Sequence, residues 1–338
     1  MALRVLVTGG AGFIGSHVTK ELAHRGHETV IVDDFSSGRI DSLSDILDSK
    51  RIQIIRGDIR ERRVVENCTK YVDSIVHLAA KTNIPASIEY PRETMDVNVN
   101  GTANLVSACA DREVDTFVLA SSCAVYGEAQ RLPIPEKHPL DPLSPYATSK
   151  VLAERECAEK MRERGLRSIS LRLFNVYGGR TGNGGEGNVV NTFARKIVEG
   201  ETPIIYGDGN QTRDFIHVDD VTQAICNILE SSPLEGVCNL GTGISTTING
   251  LAQKMTSITG SNSRTPQHVG SRFGDVRHSQ ADTALMTKAL AFVPRTNLEE
   301  GLSRVLGIHK RAADPSGYFK YDSAKRNPGN VGLELSSL

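Results

Sequence analysis

The chain has 338 residues, 39 Lys+Arg against 40 Asp+Glu, a formal net charge of −1 and 39% hydrophobic residues. That length admits one large domain or two sharing a core, and the composition is that of a globular chain rather than a disordered one. The balanced charge excludes the electrostatic footprint of a nucleic-acid or anionic-membrane binder, and the sequence has no run of 18 apolar residues to span a bilayer.

Short β-branched runs at Arg4–Val7, Thr29–Val32, Gln53–Arg56, Ser74–Leu78, Thr116–Ala120 and Ser168–Leu173 read as strands. Between them, Ile14–Arg25, Arg92–Asp111 and Pro145–Arg164 carry helical periodicity. Strand–helix alternation predicts βαβ units, hence an α/β fold with a doubly wound parallel sheet and helices on both faces. After Leu173 the pattern changes. Gly178–Asn188 is a glycine-rich loop, and helical and short extended pieces follow, with one more strand at Val237–Leu240. Residues 1–174 are therefore expected to form the sheet domain, with returns near 214–242. Residues 175–311 should form mainly a smaller mixed α/β lobe over the sheet's carboxyl edge, and 312–338 an irregular tail. Cys68, Cys109, Cys123, Cys157, Cys226 and Cys238 form no C-x-x-C pair, so a zinc ribbon or redox dithiol is not indicated and no metal site is expected. Met-Ala-Leu-Arg-Val-Leu-Val runs straight into a glycine turn without a signal peptide's apolar length, so a cytoplasmic location is expected.

Val5-Leu6-Val7 leads into Thr8-Gly9-Gly10-Ala11-Gly12-Phe13-Ile14-Gly15 and then a helix. Strand, glycine turn and helix N-terminus together are the context that makes a glycine motif a pyrophosphate site, although the spacing is G-x-x-G-x-x-G rather than G-x-G-x-x-G. Asp33 ends the second strand, where a carboxylate accepts from adenosine ribose hydroxyls and repels a 2′-phosphate. NAD is the cofactor this predicts, on a Rossmann-type sheet. Gly9, Gly12, Phe13, Ile14 and Gly15 belong to the turn, and Asp34, Ser37 and Gly38 follow Asp33 in the next one.

Ser144-Pro145-Tyr146-Ala147-Thr148-Ser149-Lys150 reads as a helix start, with Ser144 at N-cap and Pro145 at N1. Four residues apart, Tyr146 and Lys150 share a helix face. A phenol of ordinary pKa about 10 needs about 4 kcal/mol of stabilisation as phenolate to be half ionised near neutrality. A lysine ammonium and a positive nicotinamide supply that kind of stabilisation.

With Ser121-Ser122-Cys123-Ala124-Val125-Tyr126-Gly127, L-R-L-F-N-V-Y-G and R-D-F-I-H-V-D-D in the same order, the chain to about residue 311 closely resembles the extended short-chain dehydrogenase/reductase family, in particular its UDP-glucose/UDP-galactose 4-epimerase members. The resemblance implies Tyr146 as acid/base, Lys150 as holder of the nicotinamide ribose and the tyrosine pKa, and Ser122 as the hydroxyl bonding the reacting sugar oxygen. It places Asp58 and Ile59 at the adenine, Leu78, Ala79, Ala80 and Asn98 along the cofactor trough, and Phe174 near the nicotinamide. It places Asn175, Asn188 and Val189 at the diphosphate and sugar, and Arg213 and Arg272 on phosphate charge. Asp275 falls on the nucleotide ribose and Tyr206 near the base, while His217 reads as structural. Ser279, seven residues after Arg272, falls where a tyrosine closes the sugar pocket to N-acetyl groups and a small residue opens it.

Dehydratase and decarboxylase relatives carry acids just after the catalytic Ser/Thr, where this chain has Cys123 and Ala124. That departure points to epimerisation at C4, through a 4-keto intermediate, of UDP-glucose/UDP-galactose and of the N-acetyl pair UDP-GlcNAc/UDP-GalNAc. Alternatives are a uronate epimerase, a ketosugar reductase, or a non-catalytic NAD-sensing protein. The resemblance also implies a homodimer, through Arg92–Asp111 and Pro145–Arg164.

Overall fold

Alternating apolar strands and amphipathic helices assemble into a seven-stranded, all-parallel sheet in a computed structural model that describes residues 2–110, 114–179, 188–231, 233–260, 265–272 and 274–313. Its strands are β1 (Arg4–Thr8), β2 (Glu28–Asp33), β3 (Ile52–Arg56), β4 (Ser74–His77), β5 (Thr116–Ser122), β6 (Arg167–Leu173) and, after a long excursion, β10 (Gly236–Leu240). The order β10-β6-β5-β4-β1-β2-β3 reverses direction between β1 and β4, which opens a crevice at their carboxyl ends. Val5 pairs with Thr29 on one side and Ser74 on the other.

Side chains alternate across the strands, so each run feeds two cores. From β1, Val5 and Val7 join a core with α1 (Phe13–His24) and α8 (Val218–Ser231), while Leu6 faces the opposite one. That second core takes Val65 and Cys68 of α2 (Arg62–Cys68), Leu105 and Val106 of α5 (Gly101–Ala110), and Ala153, Cys157 and Met161 of α6 (Pro145–Glu163). Five of the six cysteines are buried and all six are unbridged, consistent with thiols used as small apolar groups.

The smaller lobe has a third core among α7 (Val189–Val198), α9 (Ile248–Thr259) and α11 (Leu298–Ala313). It carries the sheet β7 (Asn175–Tyr177), β9 (Thr212–His217) and β11 (Ser245–Thr247), and the pair β8 (Ile204–Tyr206) with β12 (Gln267–Val269). On α6 pack α3 (Ile84–Glu89) and α4 (Pro91–Met95), and α10 (Ala284–Leu290) covers β10.

Two expectations change. The single helix expected at Arg92–Asp111 is α4, a π-turn at Asp96–Asn100 and then α5, with Asp111 outside the described residues. The π-turn turns Asn98 into the fold, where its side chain spans the Lys81 backbone and Ser149. Residues 312 and 313, expected to begin an irregular tail, complete α11. Residues 314–338 and 180–187 of the glycine loop lie outside the described residues. Among the described residues no helix is long and apolar enough to cross a membrane.

Candidate active site

The glycine turn closes where the sheet reverses. Gly9 has φ +67, and a Cβ there would stand 2.8 Å from Ala79 N; a Cβ on Gly15 would stand 2.0 Å from Gly9 O. Only glycine lets strand, turn and helix come this close. Gly12 is the N-cap of α1 and has no side chain to cap it, nor does the first turn carry an acid. The first turn of α1 therefore presents its N–H groups with no acidic side chain of its own, the arrangement that suits a pyrophosphate. Ile14 packs on the apolar core, and Phe13 stands edge-on to His17.

Asp33, at the end of β2, accepts from Ala11 N (2.9 Å) and Phe35 N (2.8 Å). Burial pushes its carboxyl up, against those two bonds. Gly38 is seated on it, since a Cβ there would stand 2.7 Å from Asp33 Oδ1. The exposed Asp34 accepts from Ser36 N and Oγ, and Ser37 is exposed beside it. Asp58 is held by Arg60, which also reaches Asp96 at 3.0 Å, and Ile59 is buried against α5. Leu78 N donates to Thr8 O and Ala79 N to Thr8 Oγ1, so the Leu78-Ala79-Ala80 segment runs beside the glycine turn. Phe174 is buried, with its N bonded to Leu240 O. Glycine turn, uncapped helix and strand-end carboxylate fit an NAD dinucleotide.

The catalytic candidates meet at the carboxyl end of β5. Ser144 accepts from Ala147 N at 3.1 Å and caps α6, as the sequence predicts. The helix start is fixed a second time by Ser87 Oγ, which accepts from Tyr146 N at 3.2 Å. Sequence reading missed Ser87, because a serine in a short exposed helix gives no signal. Tyr146 is 9% exposed, with Ser122 in hydrogen-bonding reach of its phenol. Burial pushes that phenol up to about 12, the Ser122 bond opposing. Lys150 Nζ lies 6.0 Å from the Tyr146 ring centroid and donates to Ala120 O at 2.8 Å. Burial pushes Lys150 down to about 8, with the Glu154 carboxylate opposing. The protein alone thus holds the tyrosine as a phenol, and the lysine does not bond it directly. Beneath them His77 bridges Thr8 Oγ1 (2.7 Å) and Thr102 Oγ1 (2.8 Å), held neutral down to about 3 by burial and the Lys150 charge.

The sugar-nucleotide candidates come from the smaller lobe and the segment that follows β12. Asn175 opens β7. Asn188 caps α7, accepting from Asn191 N (3.0 Å) and donating to Val176 O (2.9 Å), with Val189 beginning the helix. Arg213 is largely buried, which lowers its pKa, and faces Asp275 at 3.9 Å. The Arg272 guanidinium lies 3.5 Å from the centroid of the Tyr206 ring, so these two candidates form one cation–π unit. Ser279 is 3% exposed; its N donates to Thr212 O and its Oγ to Cys123 Sγ at 3.7 Å. It therefore sits beside the residue that follows Ser122. Burial pushes the Cys123 thiol up to about 11, so that position holds no base at neutral pH. His217 is buried edge-on to Tyr177 and 3.3 Å from Asp219.

Asp214 also escaped the sequence reading. Buried next to Arg213, it accepts from Thr242 N and Oγ1, Gly243 N and Ala281 N, tying three segments of the lobe together. Its signal was the Arg213-Asp214 pair within R-D-F, read for its arginine alone.

The chain is 33% identical over 308 residues to the UDP-glucose 4-epimerase of Mycolicibacterium smegmatis, covering 90% of this chain and 97% of that one. Its fold superposes with TM-score 0.87 at 32% identity on the UDP-glucose 4-epimerase of Thermotoga maritima solved with UDP-glucose, covering 92% of this chain and 100% of that one. With TM-score 0.86 and 33% identity it matches the UDP-N-acetylglucosamine 4-epimerase of Methanobrevibacter ruminantium in complex with UDP-N-acetylmuramic acid, covering 90% and 97%. Residues 5–241, from the first strand to the last of the parallel sheet, match a single family description. With its glycine turn, strand-end carboxylate and Ser-Tyr-Lys cluster on one crevice, the chain belongs to the NAD dependent epimerase/dehydratase family.

Proposed function

We propose that this chain is an NAD-dependent UDP-sugar 4-epimerase that interconverts UDP-glucose with UDP-galactose and UDP-GlcNAc with UDP-GalNAc. The observation that carries the reaction type is at Cys123 and Ala124. The family includes dehydratases, yet here the two positions after Ser122 hold a neutral thiol and a methyl group. With no acid there to assist elimination, oxidation and re-reduction at one carbon is the chemistry left. NAD, when bound, supplies a reversible two-electron acceptor beside the sugar. Tyr146 Oη takes the proton of the sugar 4-hydroxyl and returns it, Ser122 Oγ bonds the same oxygen, and Lys150 supplies positive charge to the phenolate and to the cofactor ribose. Arg213 and Arg272 hold the diphosphate while the 4-keto sugar turns over. Asn175, Asn188 and Val189 border the diphosphate, and Asp275 and Tyr206 the nucleoside.

Acceptance of N-acetyl sugars is supported by Ser279, a small side chain whose hydroxyl bonds Cys123, the residue after Ser122. NMR of UDP-sugars mixed with purified enzyme, without added NAD, should show interconversion of both pairs. Tyr146→Phe should lower kcat by at least about a thousandfold while retaining NAD. Ser279→Tyr should suppress the N-acetyl reaction and spare the plain one. Net NADH formation, or a wild type inert to N-acetyl sugars, contradicts the respective half of the proposal. The unbridged cysteines agree with a reducing cytoplasm. A homodimer through α5 and α6 is supported by exposed apolar side chains on and near α6, namely Leu152 (37%), Ile88 (43%) and Tyr90 (55%).

A further inference from the structure

One face of α6 grips three consecutive residues of β5. Tyr146 meets Ser122, Lys150 Nζ holds Ala120 O, and Glu154 accepts from Ser121 Oγ. The three helix residues are successive at four-residue spacing, so they stack along one side of α6. The first two belong to the proposed chemistry. Glu154 is instead buried between β5 and β6.

Glu154 is 6% exposed and forms a bidentate ion pair with Arg172 of β6, Nε to Oε1 at 3.0 Å and Nη2 to Oε2 at 2.7 Å. Arg172 is itself 4% exposed, donates to Glu136 O at 3.0 Å and lies 4.8 Å over the Tyr126 ring. Tyr126 in turn donates to Asn239 Oδ1 on β10. A buried ion pair is a weak source of stability, because the cost of desolvating both charges is close to what the pair returns. The geometry gives this one a different use. Oε1 is shared between Arg172 and the Ser121 hydroxyl, so the carboxylate is fixed from β6 and fixes β5 at the residue preceding Ser122.

We propose that Glu154 is a positioning residue for the epimerase reaction: it locks Ser121, and through it the Ser122 hydroxyl, with its carboxylate one helical turn along α6 from Lys150. The inference rests on the proposed reaction. The groups facing Lys150 are Tyr146, Glu154 and Cys157 on α6 and His77 on β4. Glu154 is the carboxylate among them, and it opposes the burial that lowers the Lys150 pKa. Its loss must therefore move Lys150 deprotonation to lower pH.

The test uses the full-length, NAD-loaded protein. Ser121→Ala should lower kcat roughly tenfold, the kinetic worth of one hydrogen bond, with KM for UDP-glucose and the alkaline limb of the pH profile unchanged. Glu154→Gln should lower kcat further and shift the alkaline limb to lower pH, and Glu154→Asp should restore the limb. The Lys150 titration is followed in parallel by NMR of lysine labelled at its ε carbon, assigned with Lys150→Met. That readout needs no substrate, so an inert wild type would sink the proposed reaction while leaving the Lys150 shift measurable. Wild-type kcat in Ser121→Ala, or an unshifted Lys150 in folded Glu154→Gln, overturns the proposal. If Glu154→Gln does not fold, Ser121→Ala and Glu154→Asp decide it: loss of rate in the first with an unmoved limb in the second supports the proposal, and wild-type rate in the first refutes it.

Discussion

Lys150 carries an electrostatic cost set by its place in the fold. Its ammonium is buried and donates to Ala120 O, and burial brings its pKa from the ordinary 10.5 to about 8. The folded protein therefore carries a charging cost of about 3 kcal/mol at neutral pH, set against about 1 kcal/mol from the hydrogen bond. The sign follows from linkage. A lysine whose pKa falls on folding is penalised wherever the unfolded chain still protonates it, fully below pH 8, and the penalty fades towards 10.5. Lys150→Met should thus abolish turnover yet stabilise the protein by about 2 kcal/mol at pH 7, less at pH 9.5. Urea unfolding at the two pH values measures it, and destabilisation at both would contradict the account. The phenol of Tyr146, pushed up to about 12, explains the same site from the other side. Burial therefore favours its protonated form.

At the scale of elements, the π-turn at Asp96–Asn100 is the departure with consequences. Helical periodicity across residues 92–111 was plain in the sequence, but one extra residue in a turn leaves that periodicity nearly unchanged. What the turn alters is direction. Asn98 points inward and is 2% exposed, accepting from Lys81 N at 2.8 Å and donating to Lys81 O and Ser149 Oγ at 2.9 Å each. It joins the segment after β4 to the helix that carries Tyr146. Asn98→Ala leaves the Lys81 backbone groups without these partners, and should cost about 3 kcal/mol with weakened retention of NAD. A shift in urea midpoint below one third of that, with NAD fully retained, would show the junction to be dispensable.

At the scale of the molecule, α5 and α6 pack side by side on one face of the sheet, and Leu152 of α6 is turned away from that core. Homodimerisation through these helices predicts light scattering at twice the chain mass. Leu152→Glu should give a monomer that keeps its fold, because the side chain is exposed and belongs to none of the hydrophobic cores. A wild type that runs as a monomer at micromolar concentration would refute the interface.

The amino-acid sequence by itself determined the parallel sheet, because strand and helix periods are local properties of the chain. It also determined the glycine turn with Asp33 and the Tyr146/Lys150 pair, because the spacing of each is set within one turn or one βαβ unit. It placed Ser279 by counting from Arg272, but that its hydroxyl lies against Cys123 depends on contact across 156 residues of chain. The same holds for Glu154 with Ser121 and Arg172, and for Asp214 with its three segments. A lone Glu on a helix or an Asp in a strand looks like any other until packing removes water and leaves each lone pair a single partner. The ionisation of the site was likewise decided by tertiary structure. Burial moved Tyr146 and Lys150 away from their ordinary pKa values, and burial is a property of the assembled fold.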